Sequence, residues 1–482
     1  MQINAISDDQ TTPAGSELKR LEKIFSTLKV GYAKSPMPSL QQRIQYLNTL
    51  KILLIEHQHA IATAINEDFT ARSATETMLA DIVPSIQSIN HTLKHLKQWM
   101  KPNKRNVGIH FWPASAQVVY QPLGVVGIMV PFNYPLGLAI VPLMTALAAG
   151  NRAMIKMSEF TPRASALMAD MLRKGFEESH VAVITGGVDI ATAFSRLPFD
   201  HLLFTGSTAV GKLVMRAAAE NLTPVTLELG GKSPAIIADD IPLQDIVERL
   251  CFAKSLNAGQ TCIAPDYVLV PHGKLDHFIS LYKAAFKKMY PAINGNPDYT
   301  SVLNIHAHQR LHEWLKDAAD KGARIEKTSE EKITDGSFRM PLYLVTDVTD
   351  DMLLMQHEIF GPILPVIPYN HIDDAIAYVN LRPRPLSLYL FSYDRALQER
   401  VTIGTHSGSV CINDAMIQFG VDELPFGGIG PSGMGQYHGH EGFLSLSKAK
   451  GVLRKGRLNS MKFIYPPYRG IVQKWLLKWL TR

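Results

Sequence analysis

Between Gly124 and Asn221, short apolar runs alternate with longer stretches whose apolar residues recur at helical spacing, and few folds accommodate that alternation. Gly124 to Pro131 carries Val125, Val126, Ile128, Met129 and Val130 without a polar break, the pattern of a strand covered on both faces. An apolar helix is predicted over Pro135 to Ala149 and a short strand over Ala153 to Lys156. Another helix is predicted after Thr161-Pro162, where an N-cap residue precedes proline at the first helical position. Strands Val181 to Thr185 and His201 to Thr205 follow, then a helix from Ser207 to Asn221 whose predicted inner face is Val210, Leu213, Val214 and Ala217. Strands joined through helices imply right-handed crossovers and a doubly wound parallel sheet of the α/β class. Ligands on such sheets bind beyond the carboxyl ends of the strands.

Residues 1 to about 15 are expected to be disordered, and Glu17 to Met100 to be helical. Leu21, Ile24, Phe25 and Leu28 mark one helix there, and Ile52, Leu53, Ile55 and Ile61 a long second one. His91 and His95 stand one helical turn apart; with no third ligand nearby they are read as a solvated face, and no metal is expected. A second α/β region begins at Ser233. It predicts a helix from Ile246 to Ala258 closed by Gly259. Strands are predicted over Tyr267 to Val270, Ile363 to Ile367, Leu386 to Phe391 and Ser409 to Ile412, and helices over Lys274 to Met289, His308 to Lys321, Asp373 to Asn380 and Arg395 to Ile403.

A chain of 482 residues exceeds what one core usually supports, so two or three domains are expected. Hydrophobic residues at 46% and charged residues at 19% exclude a disordered or fibrous chain. The net charge of +6 is small and dispersed, which argues against a nucleic-acid partner. Three cysteines are too few for a disulfide framework and suit a reducing compartment. Met1 to Gln10 shows no secretory signal, and no apolar stretch approaches the roughly 20 residues of a spanning helix, so a cytoplasmic location is expected.

The chemistry centres on Cys262, in a turn-rich break between the predicted helix and strand, where its thiol can be presented. Cys251 and Cys411 lie in apolar patterns and are read as core. Glu228, just before the Gly230-Gly231 pair, offers a base. Asn133, between two prolines in a strand-to-helix turn, can hold an oxyanion or merely satisfy the turn. Gly206 to Leu213 almost spells a phosphate-binding P-loop, but Leu213 lacks the hydroxyl that would hold magnesium, which disfavours kinase or ATPase chemistry. A glycine ahead of a helix start still admits a pyrophosphate, although plain turn chemistry stays open. Lys156 and Glu159 follow a strand end, where a carboxylate can accept from ribose hydroxyls and repel a 2′-phosphate, favouring NAD over NADP. Glu358, beside the Gly361-Pro362 turn, is a cofactor contact or a surface charge. Pro425 to Gly435 is a glycine-dense loop that lets backbone segments approach closely.

These motifs, in this order and rough spacing, resemble the aldehyde dehydrogenase superfamily over about residues 20 to 450. The Cys262 to Tyr267 run and Tyr437-His438-Gly439 resemble its class 3, fatty-aldehyde and coniferyl-aldehyde branch. The resemblance implies N-terminal helices (1–106), a doubly wound cofactor domain (121–229), an α/β catalytic domain (230–412), a small β oligomerisation element (107–120 with 413–450), and a tail (451–482). It further implies a homodimer. By that resemblance Cys262 attacks an aldehyde as a thiolate of lowered pKa, Asn133 holds the oxyanion, and Glu228 activates the water that hydrolyses a thioester. Lys156, Glu159, Gly206, Ser207, Gly211, Leu229, Glu358 and Phe360 would hold NAD, with NADP possible because proline is missing after Lys156 and Glu159 does not always exclude it. Tyr134, Ile263, Met416, Ile417 and Phe419 would line an apolar pocket for a medium-chain, long-chain or aromatic aldehyde. A thioester-forming reductase or acylating enzyme is the alternative that Glu228 argues against, and the intact Cys262, Asn133 and Glu228 set argues against a silent homologue. At the C-terminus, Val472, Trp475, Leu476, Trp479 and Leu480 form one helical face and Lys474 and Lys478 another. Such a helix suits peripheral membrane contact, or docking on the body or a partner subunit.

Overall fold

A computed structural model of the protein describes residues 13–108, 111–459, 462, 465–468 and 470–481, with the side chains of 13, 14, 476 and 480 outside that set. The first sheet has six strands in the spatial order Gly433–Met434, Val225–Leu229, His201–Gly206, Val125–Met129, Arg152–Lys156 and Val181–Ile184. All pair in parallel except Gly433–Met434, which runs antiparallel to Val225–Leu229. From Val125–Met129 the chain steps outward to Val181–Ile184, then returns to the opposite side at His201–Gly206. That reversal is a switch point, and it opens a crevice beyond the strand ends.

The seven-stranded second sheet runs Arg324–Lys327, Tyr343–Thr346, Ile363–Tyr369, Tyr267–Pro271, Pro234–Ile237, Ser387–Phe391 and Ser409–Ile412, antiparallel only at its first pair. Asn103–Arg105, Ser115–Pro122 and Ser447–Arg454 make a three-stranded antiparallel sheet. Cys251 and Cys411 are buried in the core beside the second sheet.

Several expectations are corrected. Residues 13–15 belong to helix Pro13–Lys34, while 1–12 lie outside the described residues. Ile52 and Ile55 are exposed and Leu54 takes the buried position beside Leu53, because the helix Leu40–Asp68 turns its stripe toward Leu47, Leu50 and Ile61. Thr161 stands at an N-cap without a capping bond; the Asp68 carboxylate instead accepts from the Arg163 and Ala164 amides. Helix Thr208–Ala219 buries Gly211, Val214 and Ala218 against the sheet, and leaves Val210 and Leu213 exposed. The helix preceding Cys262 ends at Ser255, three residues early.

Candidate active site

The crevice is a cavity of about 850 Å³ whose walls come from the loops after the first sheet's strands, closed from the second sheet by Cys262, Arg310, Glu358 and Phe360. Asn133, Lys156, Glu159, Gly206, Ser207 and Glu228 line the same space. Ten positions spread over 228 residues of sequence, from Asn133 to Phe360, thus face one volume.

Cys262 reaches it on a strained loop. Asn257, Ala258 and Gly259 all have left-handed φ, at 52°, 52° and 72°, which for the first two costs of order 1–2 kcal/mol each. Only glycine fits the third position, where a Cβ would lie 2.5 Å from the Gly361 carbonyl oxygen. Buried hydrogen bonds hold the strain: the Asn257 amide donates to Glu76, and the Gln260 side chain spans Asn257 O, Ser301 O and the Leu303 amide. Asn133 joins this network. Its Nδ2 donates to Gln260 O at 3.1 Å, and its carbonyl accepts from Arg72 at 2.6 Å and from Asn257 Nδ2 at 3.0 Å. Arg72 is in turn paired with Asp81 at 2.9 Å, both side chains fully buried. Arg72, Glu76 and Asp81 escaped the sequence reading because they lie in a stretch of helical pattern that carries no motif.

The Cys262 thiol is half-buried, and its pKa is pushed up to about 12 by burial, with Glu358 and Glu228 adding to the effect. The expectation of a lowered thiol pKa is therefore corrected: the apolar wall and two carboxyls outweigh the local backbone amides. Glu228, on strand Val225–Leu229, is buried with no hydrogen-bond partner on either oxygen, and burial raises its pKa well above the carboxylate range. Glu358 packs on Gly230, where a Cβ would lie 1.7 Å from its Oε2. Burial and Asp266 raise it to about 8, against the pull of Lys232 and Lys254.

On the opposite flank Lys156 is buried, with Nζ donating to Met157 O at 2.7 Å and 3.7 Å from Glu159 Oε2. Burial lowers its pKa and Glu159 opposes that. Ser207 caps helix Thr208–Ala219, accepting from the Val210 amide at 3.4 Å. A Cβ on Gly206 would lie 2.5 Å from the Phe204 ring. Gly211 and Leu229 depart from expectation: a Gly211 Cβ would lie 2.5 Å from Leu229 Cδ2, so this pair seats the helix on the sheet behind the cavity wall. Val210, Leu213 and Ala217, mistaken for the core face, line the cavity together with Val188 and Ala191, making an apolar slot between two helices. Phe360, at φ 47°, meets Phe132 at 5.7 Å edge-on.

Around Cys262, Tyr134, Met416 and Phe419 pack on one apolar cluster that includes Ile263. Tyr134 shares a hydrogen bond of 2.7 Å with Thr261. Ile417 does not join them. The left-handed φ of Met416, 68°, turns the following 3-10 segment outward and leaves Ile417 59% exposed. Beside Phe419 lies His438, buried with both ring nitrogens unpartnered and its pKa lowered to about 3 by burial. Elsewhere, the reading of His91 and His95 as having no third ligand nearby is overturned, since folding brings Glu423 to 2.6 Å from His91 Nε2.

The model of the aldehyde dehydrogenase family matches residues 18–452. The chain belongs to the aldehyde dehydrogenase family. It is an oxidoreductase of the kind that uses NAD(P), with the α/β fold described above. The chain is 56% identical over 466 residues to a probable coniferyl aldehyde dehydrogenase of Pseudomonas aeruginosa, covering 97% of each. Among solved structures it is similar to the substrate-bound Staphylococcus aureus AldH, at 35% identity, TM-score 0.90, and 96% and 99% coverage. It is also similar to a Mycobacterium tuberculosis aldehyde dehydrogenase complexed with NAD+, at 27% identity, TM-score 0.82, and 92% and 91% coverage.

Proposed function

We propose that this aldehyde dehydrogenase oxidises a cinnamyl-type aromatic aldehyde to its acid through a Cys262 thioester. The observation that carries this reading is the convergence of Cys262, Glu228 and Asn133 on one cavity. The cavity fits NAD(P): its volume is that of a ligand cleft, and Glu228 and Thr205 hold buried polar atoms without partners. A planar base would enter the slot of Val210, Leu213, Ala217, Val188 and Ala191. Lys156 and Glu159 would hold the adenosine ribose, Gly206 and Ser207 the pyrophosphate, and Glu358 and Phe360 the nicotinamide end. When bound, NAD(P) supplies the hydride acceptor. The Cys262 thiol gives its proton to the neighbouring Glu228 carboxylate, which passes it on to solvent; the sulfur adds to the aldehyde carbon, and the second Asn133 Nδ2 proton stabilises the oxyanion, a contact worth roughly 3–4 kcal/mol. After oxidation the acyl group is a thioester on Cys262. Glu228, with two free acceptor oxygens and a proton affinity that burial raises, takes a proton from the attacking water, and the Cys262 sulfur leaves as the acid is released.

The aromatic preference rests on the Tyr134, Phe419 and Met416 surroundings and on the name of the Pseudomonas relative. A panel of cinnamyl-type against aliphatic aldehydes, with NAD and NADP side by side, tests it: a higher kcat/KM for the aliphatic series would reject it. Glu159 at the ribose favours NAD. We propose further the division into N-terminal helices, cofactor, catalytic and oligomerisation parts, and a cytoplasmic homodimer built through the exposed edge of Ser447–Arg454. No helix among the described residues is long and apolar enough to cross a membrane. Helix Ile471–Leu480 exposes Ile471, Val472, Trp475 and Leu477, which supports peripheral contact with a membrane surface.

A further inference from the structure

The strongest unassigned cluster lies away from the cavity. On helix Val83–Trp99, His91 and His95 project from one face, and Glu423 arrives from the loop 413–424. One donor atom from each lies within 4.8 Å of the others. We propose that His91, His95 and Glu423 bind a divalent transition metal of the zinc class, and that the ion fastens the loop 413–424 to helix Val83–Trp99.

Two imidazoles and one carboxylate form a donor set suited to zinc and its neighbours rather than to magnesium or calcium. The rings are oriented for it. His95 Nδ1 lies 2.9 Å from the His91 carbonyl oxygen, which can only accept, so the proton is on Nδ1. The Nε2 lone pair is left facing Glu423, 3.9 Å away. This is the carbonyl bond that commonly fixes a metal-binding histidine. His91 Nδ1 is buried without a partner, so that ring meets polar ground through Nε2, 2.6 Å from Glu423 Oε1. Trp99 stacks on His95 at 6.0 Å and limits its rotation. Zinc bonds of about 2.0–2.1 Å at tetrahedral angles would separate donors by about 3.3 Å. The Glu423 side chain is 71% exposed and free to open by that much.

The position gives the ion a consequence. Glu423 ends the loop that carries Met416 and Phe419, and next to it Asp422 accepts a 2.6 Å hydrogen bond from Ser88 on the same helix. An ion would add a second, stronger fastening to that bond.

Equilibrium dialysis of Zn2+ against the full chain without an affinity tag, in a Cys262→Ser background that removes the thiol as a competing ligand, tests the site. One equivalent is expected. Glu423→Gln, and separately His91→Ala with His95→Ala, should each weaken binding at least about tenfold. His308→Ala with His312→Ala, the other histidine pair, whose Nε2 atoms are 3.3 Å apart, should leave it unchanged. Zinc binding indifferent to the first two variants, or lost in the third, would overturn the site and leave an ion pair only. Hydrogen exchange across 413–424 should slow with Zn2+ in the parent and not in Glu423→Gln. Exchange indifferent to Zn2+ in the parent would overturn the fastening.

Discussion

Arg72→Met tests the support behind Asn133. Arg72 and Asp81 form a fully buried pair at 2.9 Å, and Arg72 also donates to the Asn133 carbonyl at 2.6 Å. Removing one member of such a pair costs about 3–5 kcal/mol. Asp81, whose pKa burial already raises, can take up a proton, which places the cost near about 3 kcal/mol. Arg72→Met with Asp81→Leu removes the pair together; what remains lost is the acceptor of the Gly137 amide, about 1–2 kcal/mol, and the attraction of Arg72 for the buried Glu76 carboxyl, which can take up a proton in its place. Stability should therefore recover in the double variant. Turnover should not, because in both variants the Asn133 carbonyl keeps only Asn257 Nδ2, and a displaced oxyanion donor should cost kcat about tenfold or more. Urea unfolding midpoints and kcat, measured on both variants, separate the two effects. Full turnover in the recovered double variant would refute the positioning role, and a single variant less than about 1 kcal/mol weaker would refute the buried-pair reading.

Alkylation of Cys262 without cofactor should be slow at neutral pH and rise about tenfold per pH unit up to the vicinity of its pKa of about 12; a rate that plateaus below pH 8 would contradict the raised pKa. His201 is buried with a folded pKa of about 4, below its ordinary 6.5. Its neutral form is favoured by folding, so stability is full above pH 6.5 and falls by about 3 kcal/mol as pH drops through 6.5 toward 4; His201→Gln should flatten that acid limb in thermal melts. Phe419→Ala should raise KM for aromatic aldehydes several-fold while Ile417→Ala, at an exposed position, should not; equal effects would sink the placement of the pocket. A chain ending near Lys462 should lose partitioning onto anionic liposomes that the full chain shows, and equal partitioning would remove the membrane proposal.

The continuous apolar strands around Val125 and His201 were legible because both faces of each are covered, so burial leaves its mark at every residue. The helix Thr208–Ala219 was misread for the converse reason. It carries two apolar faces, one on the sheet and one lining the cavity, and periodicity alone cannot say which is core. Cys262, Glu228 and Asn133 stood out by their turn contexts. Arg72, Glu76 and Asp81, which fasten the Cys262 and Asn133 loops, carry no local signature, because their meaning depends on contacts as far as 224 residues away. Glu423 was missed as a partner of His91 for the same reason, at a separation of 332 residues.

The proposed thioester is tested most directly by rapid mixing of the Glu228→Gln variant with aldehyde and NAD, followed by acid quench and peptide mass spectrometry. The account predicts a burst approaching one NADH per chain, a stalled steady state, and an acyl adduct on the Cys262 peptide. No burst, or an adduct on Cys251 or Cys411 instead, would contradict it.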